Sequence, residues 1–326
     1  MRDERGREIN YLRVSVTDRC NLRCRYCMPE QGIDIKPHEE VLRLEEFARI
    51  IAVASEVGIR KVRLTGGEPL VRRNLPELVR MVAAIDRIDD IAITTNGVLF
   101  PAMALQLKAA GLHRVNLSLD TLDPKRYRFI TRFGHLEAVT RALDLALELE
   151  FHPVKVNVVI IRGFNDDEIL DFCRLAAERP LHVRFIEFMP VGHLEFWQHD
   201  RIMRCEEIRQ VIEEQYQLTP GKMSRGNGPA KYYALQGAPG SIGFISPMSN
   251  HFCAECNRLR LTADGKLRAC LYDCREIDLR GPMREGRDDR YLGELVRQGV
   301  RMKPERHLMA ENRWQHRDRK MYQIGG

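Results

Sequence analysis

Short runs of β-branched residues alternate with amphipathic helical patterns along the first 190 residues, and this alternation restricts the fold more than any other feature. Six strands are predicted, over Tyr11–Val16, Lys61–Leu64, Ile91–Thr95, Arg114–Leu119, Val154–Ile161 and His182–Phe188. Five helices are predicted between them, over Glu45–Val57, Leu75–Ile85, Ala102–Ala110, Leu136–Leu149 and Asp167–Ala177. Such alternation requires right-handed crossovers and a parallel sheet. We therefore expect an α/β fold with its functional residues at the carboxyl ends of the strands.

The last of these helices carries a start signal. Asn165 followed by Glu168 has the spacing of a capping box, in which each side chain accepts a backbone N–H of the other residue. We expect Asn165 to be the N-cap of this helix.

Beyond Pro190 the regular alternation stops. One helix is predicted over Glu206–Tyr216, and two short strands over Lys231–Leu235 and Ile242–Ile245 follow segments rich in Gly and Pro. We expect two units, residues 1–220 and residues 221–326.

Composition restricts the class of protein. Of the 326 residues, 44% are hydrophobic and 30% are charged, which predicts a globular chain with a core. There is no run of 18 apolar residues, and the charged start MRDERGREIN lacks the apolar stretch of a signal peptide. We therefore expect a cytoplasmic protein that does not span a membrane. Residues 280–320 hold twelve Arg and Lys against seven Asp and Glu, which indicates either solvated surface or attraction for a polyanion.

The chain has nine cysteines, an odd number, and its start has no export signal. The cysteines therefore do not predict a disulfide framework. Cys20, Cys24 and Cys27 lie in a loop directly after the first predicted strand. Three thiolates at this spacing suit a [4Fe–4S] cluster, and they leave one iron without a protein ligand. Zinc is the alternative, although a structural zinc site uses four closed ligands.

This loop resembles that of the radical S-adenosylmethionine (SAM) enzymes, whose signature places an aromatic residue, here Tyr26, before the third cysteine. A Gly-Gly-Glu element after the second strand completes the resemblance. It implies a partial (β/α)6 TIM-type barrel with SAM cleaved reductively to methionine and a 5′-deoxyadenosyl radical. The SAM contacts that it implies are Tyr26, Gly66, Gly67, Glu68, Ser118 and Met189.

A second group contains Cys253, Cys256 and Cys270, with Cys274 four residues further on. Alone, the four residues could hold zinc or an iron–sulfur cluster. The segment around this group and the terminal double glycine resemble the branch of radical SAM enzymes that cyclises GTP in molybdenum cofactor (molybdopterin) biosynthesis. In that branch three cysteines hold a second [4Fe–4S] cluster, which binds GTP. The resemblance thus implies a C-terminal extension that carries this cluster on Cys253, Cys256 and Cys270. Cys274 is a departure from the pattern: we expect it to be unligated, whereas as a fourth ligand it would close the cluster and exclude the substrate.

The resemblance also implies the substrate site and the reaction. The implied GTP contacts are Arg13, Lys61, Arg63, Thr94, Lys155, Arg184, Arg258 and Arg260. The residues implied in catalysis are Arg13, Arg258, Arg260, Gly325 and Gly326. The implied activity is that of a lyase: the radical removes hydrogen from C3′ of GTP, and C3′ then attacks C8 of guanine.

Partners follow from the same resemblance. It implies flavodoxin or ferredoxin as electron donor, a downstream cyclic pyranopterin monophosphate synthase and a possible homodimer, with no nucleic acid. Two alternatives are a radical SAM peptide maturase with an electron-relay cluster and a zinc-containing nucleic-acid-binding protein. A zinc-containing nucleic-acid-binding protein would account neither for the Gly-Gly-Glu element nor for the first cysteine group. Base stacking also requires aromatic residues among the basic ones, and the basic C-terminal stretch does not have this pattern.

Overall fold

The computed structural model describes residues 1–34, 36–191, 196, 198–221, 228–307 and 319–325. Six strands form its central sheet, in the chain order that the alternation predicts. They are β1 (Tyr11–Ser15), β2 (Lys61–Thr65), β3 (Asp90–Thr95), β4 (Arg114–Ser118), β5 (Val154–Ile160) and β6 (Leu181–Glu187). Each pairs in parallel with the next. The prediction of an α/β fold of the partial TIM-barrel type is confirmed.

Strands from the last third of the chain extend this sheet on both sides. They are β7 (Leu218–Gly221), β8 (Lys231–Leu235), β9 (Ser241–Ile245), β10 (Arg258–Leu261), β11 (Lys266–Arg268) and β12 (Ile277–Asp278). β9 pairs in parallel with β6, and β10 pairs in parallel with β1. The sheet order is β12-β11-β10-β1-β2-β3-β4-β5-β6-β9-β8-β7. The division into residues 1–220 and 221–326 stays a prediction.

Helices accompany the sheet, and most cover its outer face, whereas the short last helix lines the interior of the barrel. They are α1 (Leu44–Val57), α2 (Leu75–Ala83), α3 (Phe100–Ala109), α4 (Pro124–Thr131), α5 (Leu136–Glu148), α6 (Ile169–Glu178), α7 (Cys205–Glu213), α8 (Arg280–Arg284), α9 (Asp289–Arg301) and α10 (Met321–Ile324). Short 3-10 helices lie at His38–Glu40, Pro69–Val71, Asp166–Glu168, His199–Arg201 and Cys253–Glu255. Every predicted helix is present, with ends shifted by a few residues. No helix of the described residues is long and apolar enough to cross a membrane.

Successive side chains of the barrel strands point alternately to the apolar core and to the interior of the barrel. On β1, Leu12 and Val14 belong to the apolar core that the helices cover, whereas Arg13 faces the cavity inside the barrel. On β2, Val62 and Leu64 lie in the same core and Arg63 lines the cavity. Because successive residues of a strand point to opposite faces, one short strand supplies both the core and the functional site.

The basic C-terminal stretch makes ion pairs within the chain. Arg284 of α8 lies 2.8 Å from a carboxylate oxygen of Glu46 on α1. Burial opposes ionisation of Glu46, but hydrogen bonds from Arg284 and the Arg43 backbone hold the pKa of its carboxyl down, at about 2. Near the C-terminus, Arg319 pairs with Asp264 at 2.9 Å. Part of the positive surplus therefore docks the C-terminal segment on the rest of the protein.

The predicted capping box is wrong. Asn165 precedes the 3-10 helix at Asp166–Glu168, but its side chain caps no backbone N–H there. Instead its amide donates to the carbonyls of Asp120 and Val159, at 2.5 and 2.9 Å, and accepts from the Ile161 N–H at 2.7 Å. Asn165 is fully buried, and its side chain bonds to backbone groups at the carboxyl ends of the strands.

This correction can be tested, because a capping residue and a bridging amide respond differently to Asn165→Asp. Aspartate caps helices as well as asparagine does. At position 165, however, aspartate would lack the N–H groups that donate to the buried carbonyls of Asp120 and Val159, and its carboxylate would repel them. We expect the free energy of unfolding, measured by urea denaturation, to fall by about 2–4 kcal/mol.

The matched control is Asp123→Asn at the start of α4, where the Asp123 carboxylate accepts the Arg126 N–H at 2.8 Å. It should change stability by less than about 0.5 kcal/mol, since both residue types cap well. Equal stability of the two variants would contradict the bridging role of Asn165.

Candidate functional site

One cavity opens at the carboxyl ends of the barrel strands, and both groups of cysteines line it. Most of the site residues predicted from the sequence meet there. They are Arg13, Cys20, Cys24, Tyr26, Cys27, Arg63, Gly66, Gly67, Thr94, Ser118, Arg184, Met189, Cys253, Cys256, Arg258, Arg260 and Cys270. The topology explains this convergence, because parallel strands bring the loops that follow them to one edge of the sheet.

The first three cysteines form a compact turn after β1. The N–H groups of Cys27 and Met28 both donate to the carbonyl of Cys24, at 2.9 and 3.0 Å. Burial raises the pKa of the Cys20 thiol to about 11 and that of Cys27 to about 12. Three half-buried thiols at one wall of a cavity suit a cationic iron–sulfur core, because its charge compensates the thiolates that burial otherwise disfavours.

Tyr26 anchors this loop to the barrel through a residue that sequence reasoning did not select as a site residue. Its hydroxyl donates to the Asp120 carboxylate at 2.6 Å, and the other Asp120 oxygen accepts the Val159 N–H at 2.9 Å. Burial raises the pKa of Asp120 to about 6. The position of Asp120 two residues after β4, at the carboxyl edge of the sheet, is the signal that could have identified it.

The Gly-Gly-Glu element joins the loop after β2 to the cysteine loop. The N–H of Gly67 donates to the Thr17 carbonyl at 2.8 Å, and a Cβ on Gly67 would lie 2.4 Å from the Arg19 carbonyl oxygen. Only glycine permits so close an approach of two backbones.

Glu68 lies behind this contact and is 1% exposed. Its carboxylate accepts from the Thr95 hydroxyl and the Asn96 N–H, both at 2.7 Å, and burial raises its pKa to about 7. Glu68 is not among the residues that line the cavity, so its contact with SAM stays a prediction.

The second group of cysteines lies beside positive charges. Burial opposes ionisation of Cys256, but Arg258 and Lys303 outweigh it and lower the pKa of its thiol to about 6. Lys303 is buried and donates to the carbonyls of Arg258 and Ala269, at 2.8 and 3.0 Å. Sequence reasoning missed Lys303, because nothing local distinguishes it from other basic residues near the C-terminus. Cys274 is exposed and does not line the cavity.

A set of buried arginines gives the cavity its charge. Arg13, Arg63, Arg184 and Arg260 are each less than 10% exposed. Burial and, to a smaller extent, neighbouring arginines lower the pKa of Arg63 and that of Arg260 to about 10. The Nε atoms of Arg63 and Arg184, the Thr94 hydroxyl and the Asn157 carbonyl oxygen are buried without a hydrogen-bond partner among the described residues. The Arg63 and Arg184 Nε–H groups and the Thr94 hydroxyl are donors that fit a bound polyanion, whereas the Asn157 side-chain oxygen can only accept.

Two of the predicted GTP contacts, Lys155 and Lys61, do not line the cavity. Lys155 is 3% exposed on β5, where burial, with Arg184, lowers its pKa to about 5. Lys61 is half-buried at the start of β2. Neither is among the residues that line the cavity, so their contacts with GTP stay predictions.

The C-terminal residues 319–325 lie beside the cavity of the barrel. Arg319 is held by Asp264 and Glu276, and Met321 and Tyr322 of α10 line the cavity. Arg260 then donates to the carbonyl of Gly325. Gly325 has a φ of +74°, and a Cβ there would lie 2.5 Å from Thr65 Cγ2, so only glycine fits. Gly326 lies outside the described residues.

Comparison with protein families divides the chain between two models. Residues 14–176 match the radical SAM superfamily, and residues 181–309 match the family described as Molybdenum Cofactor Synthesis C. The superfamily implies SAM and a [4Fe–4S] cluster as cofactors.

Solved structures share the fold. SuiB of Streptococcus suis has a TM-score of 0.62 at 15% identity, over 84% of this chain and 64% of that chain. Methylornithine synthase (PylB) has a TM-score of 0.51 at 20% identity, over 64% of this chain and 63% of that chain. At these identities the likeness extends to the fold alone.

Curated relatives match at full length. The chain is 60% identical over 326 residues to a GTP 3′,8-cyclase of Syntrophomonas wolfei, and the match covers 100% of both chains. It is 54% identical over 327 residues to a GTP 3′,8-cyclase of Pelotomaculum thermopropionicum, again over 100% of both. On the strength of these relatives and of the superfamily match, the chain belongs to the GTP 3′,8-cyclase family of radical SAM enzymes.

Proposed function

We propose that this enzyme converts GTP to (8S)-3′,8-cyclo-7,8-dihydroguanosine 5′-triphosphate in molybdenum cofactor biosynthesis. The observation that carries the proposal is a single cavity that contains two groups of three cysteines with buried arginines beside them. A nucleoside triphosphate matches such a cavity, because guanidinium groups donate paired hydrogen bonds to phosphate oxygens. The chain has no P-loop sequence, so these side chains bind the phosphates instead.

SAM and its cluster occupy the wall formed by the loops after β1 and β2. Cys20, Cys24 and Cys27 hold the cluster, and Tyr26 keeps their loop in position through Asp120. When bound, the cluster supplies the electron that cleaves SAM to methionine and a 5′-deoxyadenosyl radical. Gly67, Ser118 and Met189 line the adjacent wall and contact SAM.

Cys253, Cys256 and Cys270 would hold a second [4Fe–4S] cluster, which would supply a binding point for the guanine of GTP. The position of all three cysteines at one cavity, beside Arg258 and Arg260, supports this. Arg258 lies within 3.9 Å of the Cys256 sulfur, and Arg260 follows on the same face of β10. Both arginines thus reach from the cluster towards the phosphates.

Closure of the cavity protects the radical from water. Met321 and Tyr322 line one end of the cavity, and Arg260 of β10 holds the carbonyl of Gly325 in the same tail. An enclosed, dry site prevents loss of reactive intermediates to solvent. The tail therefore acts in catalysis by holding Arg260 and excluding water.

The partners follow from this function. A flavodoxin or ferredoxin supplies electrons, a cyclic pyranopterin monophosphate synthase takes the product, and the enzyme works in the cytoplasm, where thiols stay reduced. We also propose a homodimer, as in the sequence prediction. No observation gives comparable support to the peptide maturase or to the zinc-containing nucleic-acid-binding protein.

The function is tested by anaerobic incubation of the reconstituted enzyme with GTP, SAM and dithionite. We expect mass analysis to detect 5′-deoxyadenosine and a cyclised product that has the same mass as GTP but separates from it chromatographically. The balance is one hydrogen atom abstracted from C3′ per SAM cleaved, with one electron and one proton returned to the cyclised base, so the product is an isomer of GTP. Deoxyadenosine without a nucleotide product would favour the maturase, and absence of both would contradict radical SAM chemistry.

The role of the tail predicts the effect of Gly325→Ala. The added carbon clashes with Thr65 and displaces the carbonyl that Arg260 binds. Cyclisation should slow by about tenfold or more, an increase of about 1.4 kcal/mol in the barrier, while both clusters remain. Removal of Gly325 and Gly326 together should suppress cyclisation as well. Product formation is measured by mass analysis and cluster content by iron assay.

Gly237→Ala is the matched control. Gly237 has a φ of +75°, nearly that of Gly325, but nothing lies within 4 Å of an added Cβ. It therefore imposes the same backbone strain without the clash and should leave turnover unchanged. Equal turnover in the Gly325 and Gly237 variants would contradict a catalytic role of the tail.

The ligand set of the second cluster predicts opposite results for two neighbouring cysteines. Cys274→Ala should retain both clusters in iron analysis and Mössbauer spectroscopy, because Cys274 is exposed and outside the cavity. Cys270→Ala should lose one cluster. Loss of a cluster in the Cys274 variant would mean a closed site with four cysteine ligands, which could not bind the substrate through an open iron.

A further inference from the structure

Two exposed phenylalanines lie at the end of α4 and in the loop that follows it. Phe129 is 47% exposed and Phe133 is 51% exposed. The guanidinium of Arg25 lies over the Phe129 ring, 4.1 Å from its centroid. Arg128, directly before Phe129 in the chain, is also exposed. We call the surface formed by Arg25, Arg128, Phe129 and Phe133 the α4 face.

Hydrogen bonds join the α4 face to the loop of the first three cysteines. The N–H groups of Arg23 and Arg25 donate to the carbonyls of Thr131 and Ile130, at 3.1 and 2.9 Å. In the opposite direction, the Arg132 guanidinium donates to the carbonyl of Arg23 at 2.6 Å. Arg25 directly follows Cys24, so the α4 face begins one residue from a proposed cluster ligand.

The segments that build this region carry charge of one sign. Residues 19–29 and 124–135 contain seven Arg and Lys and no Asp or Glu. Two of the cations pair with carboxylates from elsewhere: Arg126 with Asp167 at 2.6 Å, and Arg132 with Glu30 at 3.7 Å. For Arg25 and Arg128 no ion pair occurs with the described residues. The α4 face is thus aromatic at its centre and positively charged around it.

We propose that the α4 face is the docking site of an acidic one-electron carrier protein that reduces the first cluster. This inference rests on the proposed function, which requires an external electron for each SAM cleaved. In the docked complex, one electron passes from the reduced carrier to the cluster, which oxidises the carrier by one electron and reduces the cluster by one.

The charge and size of the surface favour this occupant over a second copy of the chain. An acidic carrier complements the cations and is steered towards them, whereas two copies of the same cationic surface repel each other. Redox encounters are small and transient, so two aromatic side chains with surrounding arginines suffice. Aromatic residues and arginine are also the types enriched at protein interfaces.

The test compares a double variant of the face with a matched variant elsewhere. Arg128→Glu combined with Phe133→Ser changes one exposed charge and one exposed apolar side chain of the α4 face. The control is Arg290→Glu with Leu105→Ser, at an exposed arginine of α9 and a leucine of α3 that is 69% exposed. Neither pair includes a residue of the proposed cofactor or substrate sites.

Two measurements are made on the reconstituted holoenzyme. Binding of an acidic flavodoxin and of an acidic ferredoxin, both oxidised, is measured by calorimetry at low and at high salt. Deoxyadenosine formation is then compared between reduced carrier and dithionite, which is small and needs no docking. We expect the α4 variant to bind carrier about tenfold more weakly or worse, with a smaller dependence on salt. Its rate with dithionite should equal that of the wild type and of the control.

The other outcomes would contradict the docking site or the proposed function. Unchanged carrier binding by the α4 variant, or failure of the wild type to bind either carrier, would overturn the docking site. Loss of a wild-type dimer in the α4 variant on sedimentation would assign the face to self-association instead. If the wild type formed no deoxyadenosine even with dithionite, the proposed function would fail, while the binding data would still decide the docking site.

Discussion

The burial of like charges inside the barrel is the constraint on which the site depends. Arginines on β1, β2, β6 and β10 project into one cavity, and each loses much of its hydration there. A buried charge without a counterion is costly, so this arrangement is stable only with an anion of high charge in reach. The strands tolerate it because their outward residues, such as Val14 and Val62, remain in a continuous apolar core. Affinity for substrate is thus obtained at the expense of the stability of the empty protein.

Local patterns explain what could be predicted from the sequence. The strands follow from β-branched runs, and both cysteine groups are recognisable by spacing alone. Asp120 and Lys303 were missed because their roles depend on contacts with Tyr26 and Arg258, which lie 94 and 45 residues away in the chain. α4 was missed because it is short and polar, with Tyr127 the largest side chain that it buries, although an N-cap and a proline mark its start.

For Asn165 the local sequence pattern predicted a contact that the structure does not have. Its spacing from Glu168 fits a capping box, yet buried carbonyls of Asp120 and Val159 compete for its amide. Glu168 instead accepts from the Thr121 hydroxyl at 2.6 Å. Unpaired polar groups in the interior cost more than an uncapped helix end that water can reach, so the tertiary contacts prevail.

The pairing of β1 with β10 has a consequence for the order of assembly during synthesis. Tyr11 lies opposite Arg258, so the strand that carries the first cysteine loop stays without its partner on that side until most of the chain has been made. Contacts between segments so distant in sequence form late, because closing the long intervening loop is slow. The nascent chain can therefore expose its first three thiols to iron–sulfur donors before the cavity closes over them, whereas the second group and the glycine tail arrive last.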